Sequence, residues 1–272
     1  MTLKSRNRLN FSLLIFSIAV FVTISMIVLI QILRNSLSLE EFNSFKTEGK
    51  HFLFQYSPIS VIASIFTQLL FAILSFFILL RAFSKTQAQN LLFFYLFLTG
   101  IILDCVRIII PLFHVTKTYS SLLIACGNTN IFANLIIPLS LLGTIITADE
   151  DQKINIEQLL FSTILLSLFF ASIIPLNTSR LLPNFTVDFG FKKTIFSLNI
   201  ICYIISIVIL IISNARKKYK QLTSIGFTSM IIGLLFLRSA SNYLFLAIGF
   251  ILTAFGQFFY LKELHNQYLW ND

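Results

Sequence analysis

Eight apolar runs, each close to the length that crosses a bilayer, divide this chain, and they restrict its fold more than any other feature. They occupy residues 11–33, 58–80, 91–113, 121–147, 158–175, 194–213, 222–237 and 243–261. A bilayer core about 30 Å thick needs about 20 helical residues to cross. Inside it every backbone polar group must be satisfied within a helix or a closed barrel. The runs are continuous rather than alternating, so they predict an all-α fold: a polytopic integral membrane helix bundle of about eight transmembrane helices. Residues 1–272 then form a single transmembrane domain. The run 222–237 is short at 16 residues. A tilted or re-entrant pair in place of helices 7 and 8 is the alternative.

Composition agrees. The chain is 57% hydrophobic and 11% charged, against about 25% charged in soluble domains, so a soluble fold is excluded. Lys plus Arg outnumber Asp plus Glu by 20 to 11. In a membrane chain that excess belongs to loops facing anionic lipid. The expected partners are therefore membrane lipids, with no nucleic acid. Cys105, Cys126 and Cys202 fall inside apolar runs without metal-ligand or disulfide spacing, and read as packing residues. No cofactor is implied.

Lys4, Arg6 and Arg8 precede the first run, which is too long for a cleaved signal region and reads as a retained signal anchor. Residues 34–57 are polar but carry Phe42, Phe45, Phe52, Phe54 and Tyr56, which suggests a short helix or flap on the membrane surface. Glu40-Glu41 matches the start of the EExxxR signature of intramembrane CAAX-type proteases, but Phe45 stands where the arginine belongs. Asp149, Glu150 and Asp151 match no metal motif and read as a solvated loop. Asn155 with Gln158 reads as a capping box opening helix 5. The loop 177–193 has Pro183 and Gly190 as breakers and two sequons, at Asn177 and Asn184. Lys4, Arg6, Arg8 and the Arg216–Lys220 cluster favour both termini on the cytoplasmic side. Tyr268 and Trp270 read as interface anchors.

Charges inside a span are costly and mark functional sites by default. Asp104 and Arg107 lie inside helix 3; Gly100, Asp104, Arg107, Pro111 and His114 share one face. On helix 4, Cys126, Asn130, Asn134 and Pro138 form one ridge, and Ala125, Thr129 and Ala133 form a small-residue ridge suited to close approach. At about 1.5 Å per residue, Asp104 lies about 14 Å below the outer end of helix 3, with Gln68, Asn128 and Asn130 at similar depth. Asn199 and Tyr203 on helix 6 fall in the same outer half. The ligand-binding candidates are thus Gln68, Asp104, Arg107, Asn128, Asn130, Asn134 and Tyr203, around an outward-facing, hydrated cavity between helices 2, 3, 4 and 6. Asp104 and Arg107 can instead pair as interhelical glue, and Arg107→Met is then expected to strand Asp104. On helices 7 and 8, the faces with Gly226 and Gly233, and with Gly249, Thr253 and Gly256, are expected to meet closely.

No catalytic set emerges. His51, His114 and His265 fall at span ends or in loops, and no HExxH, GxSxG, P-loop or dinucleotide fingerprint is present. From Pro58 to Trp270 the layout resembles the multi-span input modules of bacterial signalling proteins: a seven-helix receptor type preceded by a signal anchor, its last helix running into a polar, aromatic-tipped tail. That resemblance implies a receptor- or sensor-like signalling protein, or a membrane-complex subunit, of the bacterial inner membrane. No kinase or cyclase domain follows, so a signal is expected to pass to a protein partner through the cytoplasmic tail or loops. The alternatives are a small-solute or ion transporter and a lipid-modifying membrane enzyme.

Overall fold

Polar side chains cap the starts of three helices. In the computed structural model, which describes residues 2–34, 42, 45, 51–85, 90–113, 120–148, 155–217 and 222–269, the elements are α1 (Leu3–Leu33), α2 (Pro58–Ala82), α3 (Leu91–Leu112), α4 (Ser120–Ile146) and α5 (Ile156–Ile173), then strands β1 (Leu176–Leu181) and β2 (Val187–Phe189), then α6 (Lys192–Lys217), α7 (Leu222–Arg238) and α8 (Tyr243–Leu269). Thr2 Oγ1 accepts from Ser5 N at 3.3 Å to cap α1, and Pro58 opens α2 at a position that needs no N–H. Asn155 Oδ1 accepts from Gln158 N at 3.3 Å to start α5, as its spacing implied, and Asn242 Oδ1 accepts from Phe245 N at 2.9 Å to start α8. Glu40, Glu41, His114, Trp270 and the acidic run 149–151 lie outside the described residues.

Among the described residues, seven helices are long and apolar enough to cross a membrane, and α7 is a shorter apolar helix of 17 residues. The chain is therefore a helical bundle of multi-pass membrane type. It departs from the sequence expectation in three places. First, α1 starts eight residues early, at Leu3, because its polar turn has work at the end of α2: Arg6 Nη2 donates to Phe83 O at 2.6 Å and Asn7 Nδ2 to Ser84 O at 2.8 Å. Cations and amides are well placed against C-terminal carbonyls.

Second, the loop 177–193 is built around an antiparallel β1–β2 hairpin with a register shift between Asn177 and Leu181. Its tip is pinned by Leu182 N→Thr186 O at 2.8 Å and Phe185 N→Leu182 O at 3.0 Å. Phe185 has φ 65° and is fully buried, its ring 4.6 Å from that of Phe42. Tyr56 donates to Pro183 O at 2.9 Å; burial pushes its hydroxyl well above the ordinary range, keeping it a neutral donor. Phe42 and Tyr56 of the aromatic segment before α2 thus lie on the hairpin, and Phe52 stacks on Tyr243.

Third, α3 tightens into a 3₁₀ turn at Cys105–Ile108, where residues three apart eclipse. That brings Arg107 over Asp104. The helix core comprises α2, α3, α4, α7 and α8, with α6 bridging α4 and α7. On α5 only Ser167 and Ala171 are buried, so its remaining surface faces outward.

The pair α7–α8 is the tightest, and glycines make it so. A Cβ on Gly226 would lie 2.7 Å from Tyr260 N, one on Gly233 2.5 Å from Thr253 N, and one on Gly256 would run into Met230 N. Ser229 Oγ donates across the seam to Leu252 O at 2.9 Å. The small faces expected to meet do meet, and α7 packs against α8 along its length.

Candidate functional site

Three helices converge on Asp104. Gly100, one turn before it, lets α3 approach α4: a Cβ there would lie 2.9 Å from side-chain atoms of both Ile136 and Ile137. The small ridge expected to serve this purpose on α4 does so only in part, since Ala125 is exposed and Thr129 half-exposed. Close approach places Asn130 Nδ2 2.9 Å from Asp104 Oδ1. From the end of α7, Arg238 Nη2 donates to Asp104 Oδ1 at 2.7 Å and Nε to Oδ2 at 3.1 Å, a two-pronged clamp of the strong charge-assisted kind. Asp104 is 1% exposed and Arg238 15%.

Arg107, 2% exposed, stands 3.9 Å from Asp104 Oδ2 through Nη2, an ion pair without a hydrogen bond. Its Nη1 donates to Arg238 O at 3.0 Å, satisfying the last carbonyl of α7. Its Nε and Nη2 have no hydrogen-bond partner among the described residues. The expected Asp104–Arg107 ion pair is thus present, with a helix 4 asparagine bonded to it, but the expectation that loss of Arg107 strands Asp104 is corrected. Arg238 holds the carboxylate, and removing Arg107 leaves that pair intact.

These groups line a cavity of about 390 Å³ beneath the β1–β2 hairpin. Its polar wall has Asp104, Arg107, Asn130, Asn134, Asn199, Tyr203 and Arg238. The other wall is apolar, with Leu182, Phe189, Ile195, Phe196, Ile200 and Leu235. Asn184 also lines it, reaching Arg238 O at 3.4 Å and accepting from Thr186 at 2.8 Å, so this sequon asparagine is occupied inside the fold. Pro138, inside α4, has no N–H to give the Asn134 carbonyl, which leaves one more acceptor at the level of the cavity. The oxygen Oδ1 of buried Asn199 has no donor among the described residues. Lys192 stands at the rim, 3.6 Å from Asp188.

Of the residues expected to converge, Asp104, Arg107, Asn130, Asn134 and Tyr203 do so in this cavity. Asn128 is half-buried and outside the lining, two positions away from the ridge that faces inward. Gln68 is buried but also outside the lining, its Nε2 unpartnered among the described residues. The cavity thus lies between α3, α4, α6, α7 and the hairpin, not between helices 2, 3, 4 and 6. Arg238 completes the site from outside the set of residues expected to converge. Its signal was the shortness of its helix: 17 residues reach about 26 Å, short of a bilayer core, so the last residue ends below the surface.

Among the described residues no group of three or more His, Cys, Asp or Glu side chains could hold a metal ion. Fold and site together define a multi-pass helical membrane-type protein with a buried, arginine-rich pocket at one end. Comparison with protein-family models, curated proteins and solved structures returns no match for this chain. The functional reading accordingly rests on the pocket's own geometry.

Proposed function

We propose that this chain is a non-enzymatic membrane receptor or complex subunit that binds an anionic group in the pocket beneath the hairpin. One observation carries the reading. Two guanidinium groups share one buried carboxylate, and the arginine left over, Arg107, keeps two N–H-bearing nitrogens without an acceptor among the described residues. An uncompensated buried cation is costly, and an oxyanion against Arg107 removes that cost. Asp104, the only carboxylate in the pocket lining among the described residues, is clamped by Arg238, which suits it to positioning rather than to proton transfer.

The basic N-terminus and the cluster after α6 favour an orientation with both termini cytoplasmic, in a bacterial inner membrane, and with hairpin and pocket on the opposite side. On this reading a bound-state signal leaves through the cytoplasmic loops and tail to another protein. A second reading, a small-solute transporter, draws on the 3₁₀ turn in α3 and Pro138 in α4, two helix irregularities flanking the pocket.

The test is thermal unfolding of the purified protein in neutral detergent with a panel of carboxylates and phosphates, small and amphiphilic. Saturable stabilisation by one or more of them is expected, and its absence across the whole panel contradicts the anion pocket. Proteoliposome uptake of a stabilising anion would move the assignment from receptor to transporter.

A further inference from the structure

The pocket has one charged corner and a wall that a hydrated ion cannot use. Leu182, Phe189, Ile195, Phe196, Ile200 and Leu235 offer apolar surface next to Arg107, and a free inorganic anion would leave that surface facing water. Its volume, about 390 Å³, falls in the range of small-molecule sites, larger than a phosphate or carboxylate alone requires.

The rim adds direction. Phe196 lines the cavity yet is 63% exposed, and it stands one turn into the apolar helix α6. Exposed apolar surface on a spanning helix faces lipid. Lys192, one turn earlier on the same face, is a rim cation 51% exposed at a depth suited to headgroups. The cavity therefore reaches the lipid-facing flank of α6, with a cation above the opening and Arg107 inside.

We infer that the pocket's ligand is an amphiphilic anion, a carboxylate or phosphate head carrying an aliphatic chain, with the head on Arg107 and the chain along the Phe196–Ile200 wall. This deepens the proposed anion pocket and rests on it. Asp104 and Arg238 are positioning residues here: their pair neutralises itself and leaves Arg107 as the cation that meets the head. The Asn199 amide and the Tyr203 hydroxyl stand in the same wall to bond polar atoms next to it. Two sources supply this chemistry, a bilayer phospholipid and a diffusible amphiphile such as a fatty acid.

The test compares, on the full-length protein in neutral maltoside detergent, thermal stabilisation by inorganic phosphate, decyl phosphate, acetate, decanoate and decanol. Burial of even two methylenes is worth about tenfold in affinity. Decyl phosphate or decanoate should therefore act at concentrations at least about tenfold below phosphate or acetate, with decanol inert. Arg107→Gln, which keeps a donor for Arg238 O, should abolish the effect. Phe196→Ser, at an exposed position, should weaken the decyl ligands but not phosphate. Native mass spectrometry of the undelipidated protein separates the sources. An anionic lipid retained by the wild type and lost in Arg107→Gln identifies the bilayer; wild type free of lipid yet stabilised by decyl anions identifies a diffusible ligand. Equal potency of phosphate and decyl phosphate would overturn the amphiphile while leaving the anion pocket standing. Inertness of every anion would overturn both.

Discussion

Where α7 runs against α8, glycines bring the two backbones together; where it ends against α3 and α4 the interface is filled with charge. On the first side Gly226 and Gly233, meeting Gly256 and Thr253, bring backbone to backbone, and dispersion over a close, dry contact holds the pair. On the second, Arg238, Asp104 and Asn130 link three helices through bonds of 2.7–3.1 Å beside an open cavity. The difference teaches how the site is held. A seam that cannot slide fixes the end of α7, and a fixed helix end keeps one arginine on Asp104 so that the other stays available. Rigidity on one face sustains an unsaturated charge on the other.

Removing the shared carboxylate should break this arrangement most severely. Asp104→Asn leaves buried Arg107 and half-buried Arg238 with no counter-charge among the described residues, and a loss of about 3–5 kcal/mol is expected, read as a lowered melting temperature in detergent. An unchanged melt would mean that the arginines find their counter-charge elsewhere. Gly256→Leu attacks the other face. Its side chain would need the space of Met230 and Gly226 backbone atoms, and overpacking costs about 1–3 kcal/mol; Ile251→Leu, at an exposed position of the same helix, should melt like the wild type and serves as its control. If Gly256→Leu is silent, the seam is not what positions α7.

Asn130→Ala is gentler than the loss of Asp104. One hydrogen bond to a charged group disappears, worth about 1.5–3 kcal/mol, while the Arg238 clamp persists, and chemical unfolding should show a smaller shift than Asp104→Asn. The mildest probe is a single cysteine. At position 134, in the cavity lining, it should react with a charged, membrane-impermeant thiol reagent, whereas at position 204, exposed on α6, it should not. Equal reaction, or none at 134, would deny water to the pocket. The native cysteines are buried, which keeps the background low.

Much of this was legible in the chain because membrane constraints are local. Run length marks a spanning helix without reference to its neighbours, and Gly226, Gly233, Gly249 and Gly256 recur at helical spacing whatever they face. Depth was legible too, since it needs only residue counting, and Asp104, Arg107, Asn130, Asn134 and Tyr203 do share one cavity. Rotation was not. Gln68 has the right depth on a helix whose polar position turns away from the pocket, and nothing in α2 alone fixes that angle. Asn128 fails by the same rotation, two residues from Asn130. The hairpin was hidden because its pairing depends on distant support, Phe42 and Tyr56 against its tip. Arg238 is missing from the sequence candidates because it stands out only when the length of its helix is set against bilayer thickness.

The division of labour between the two arginines is the centre of the account, and melting Arg107→Met beside Arg238→Met tests it most directly. Arg238→Met removes both short bonds to Asp104 and should cost about 3 kcal/mol. Arg107→Met removes one bond to a carbonyl, about 1 kcal/mol, and also an excess buried cation, so it should melt close to wild type. Equal losses, or a larger loss for Arg107→Met, would show that Arg107 carries the structural pair and leave no free guanidinium for a ligand.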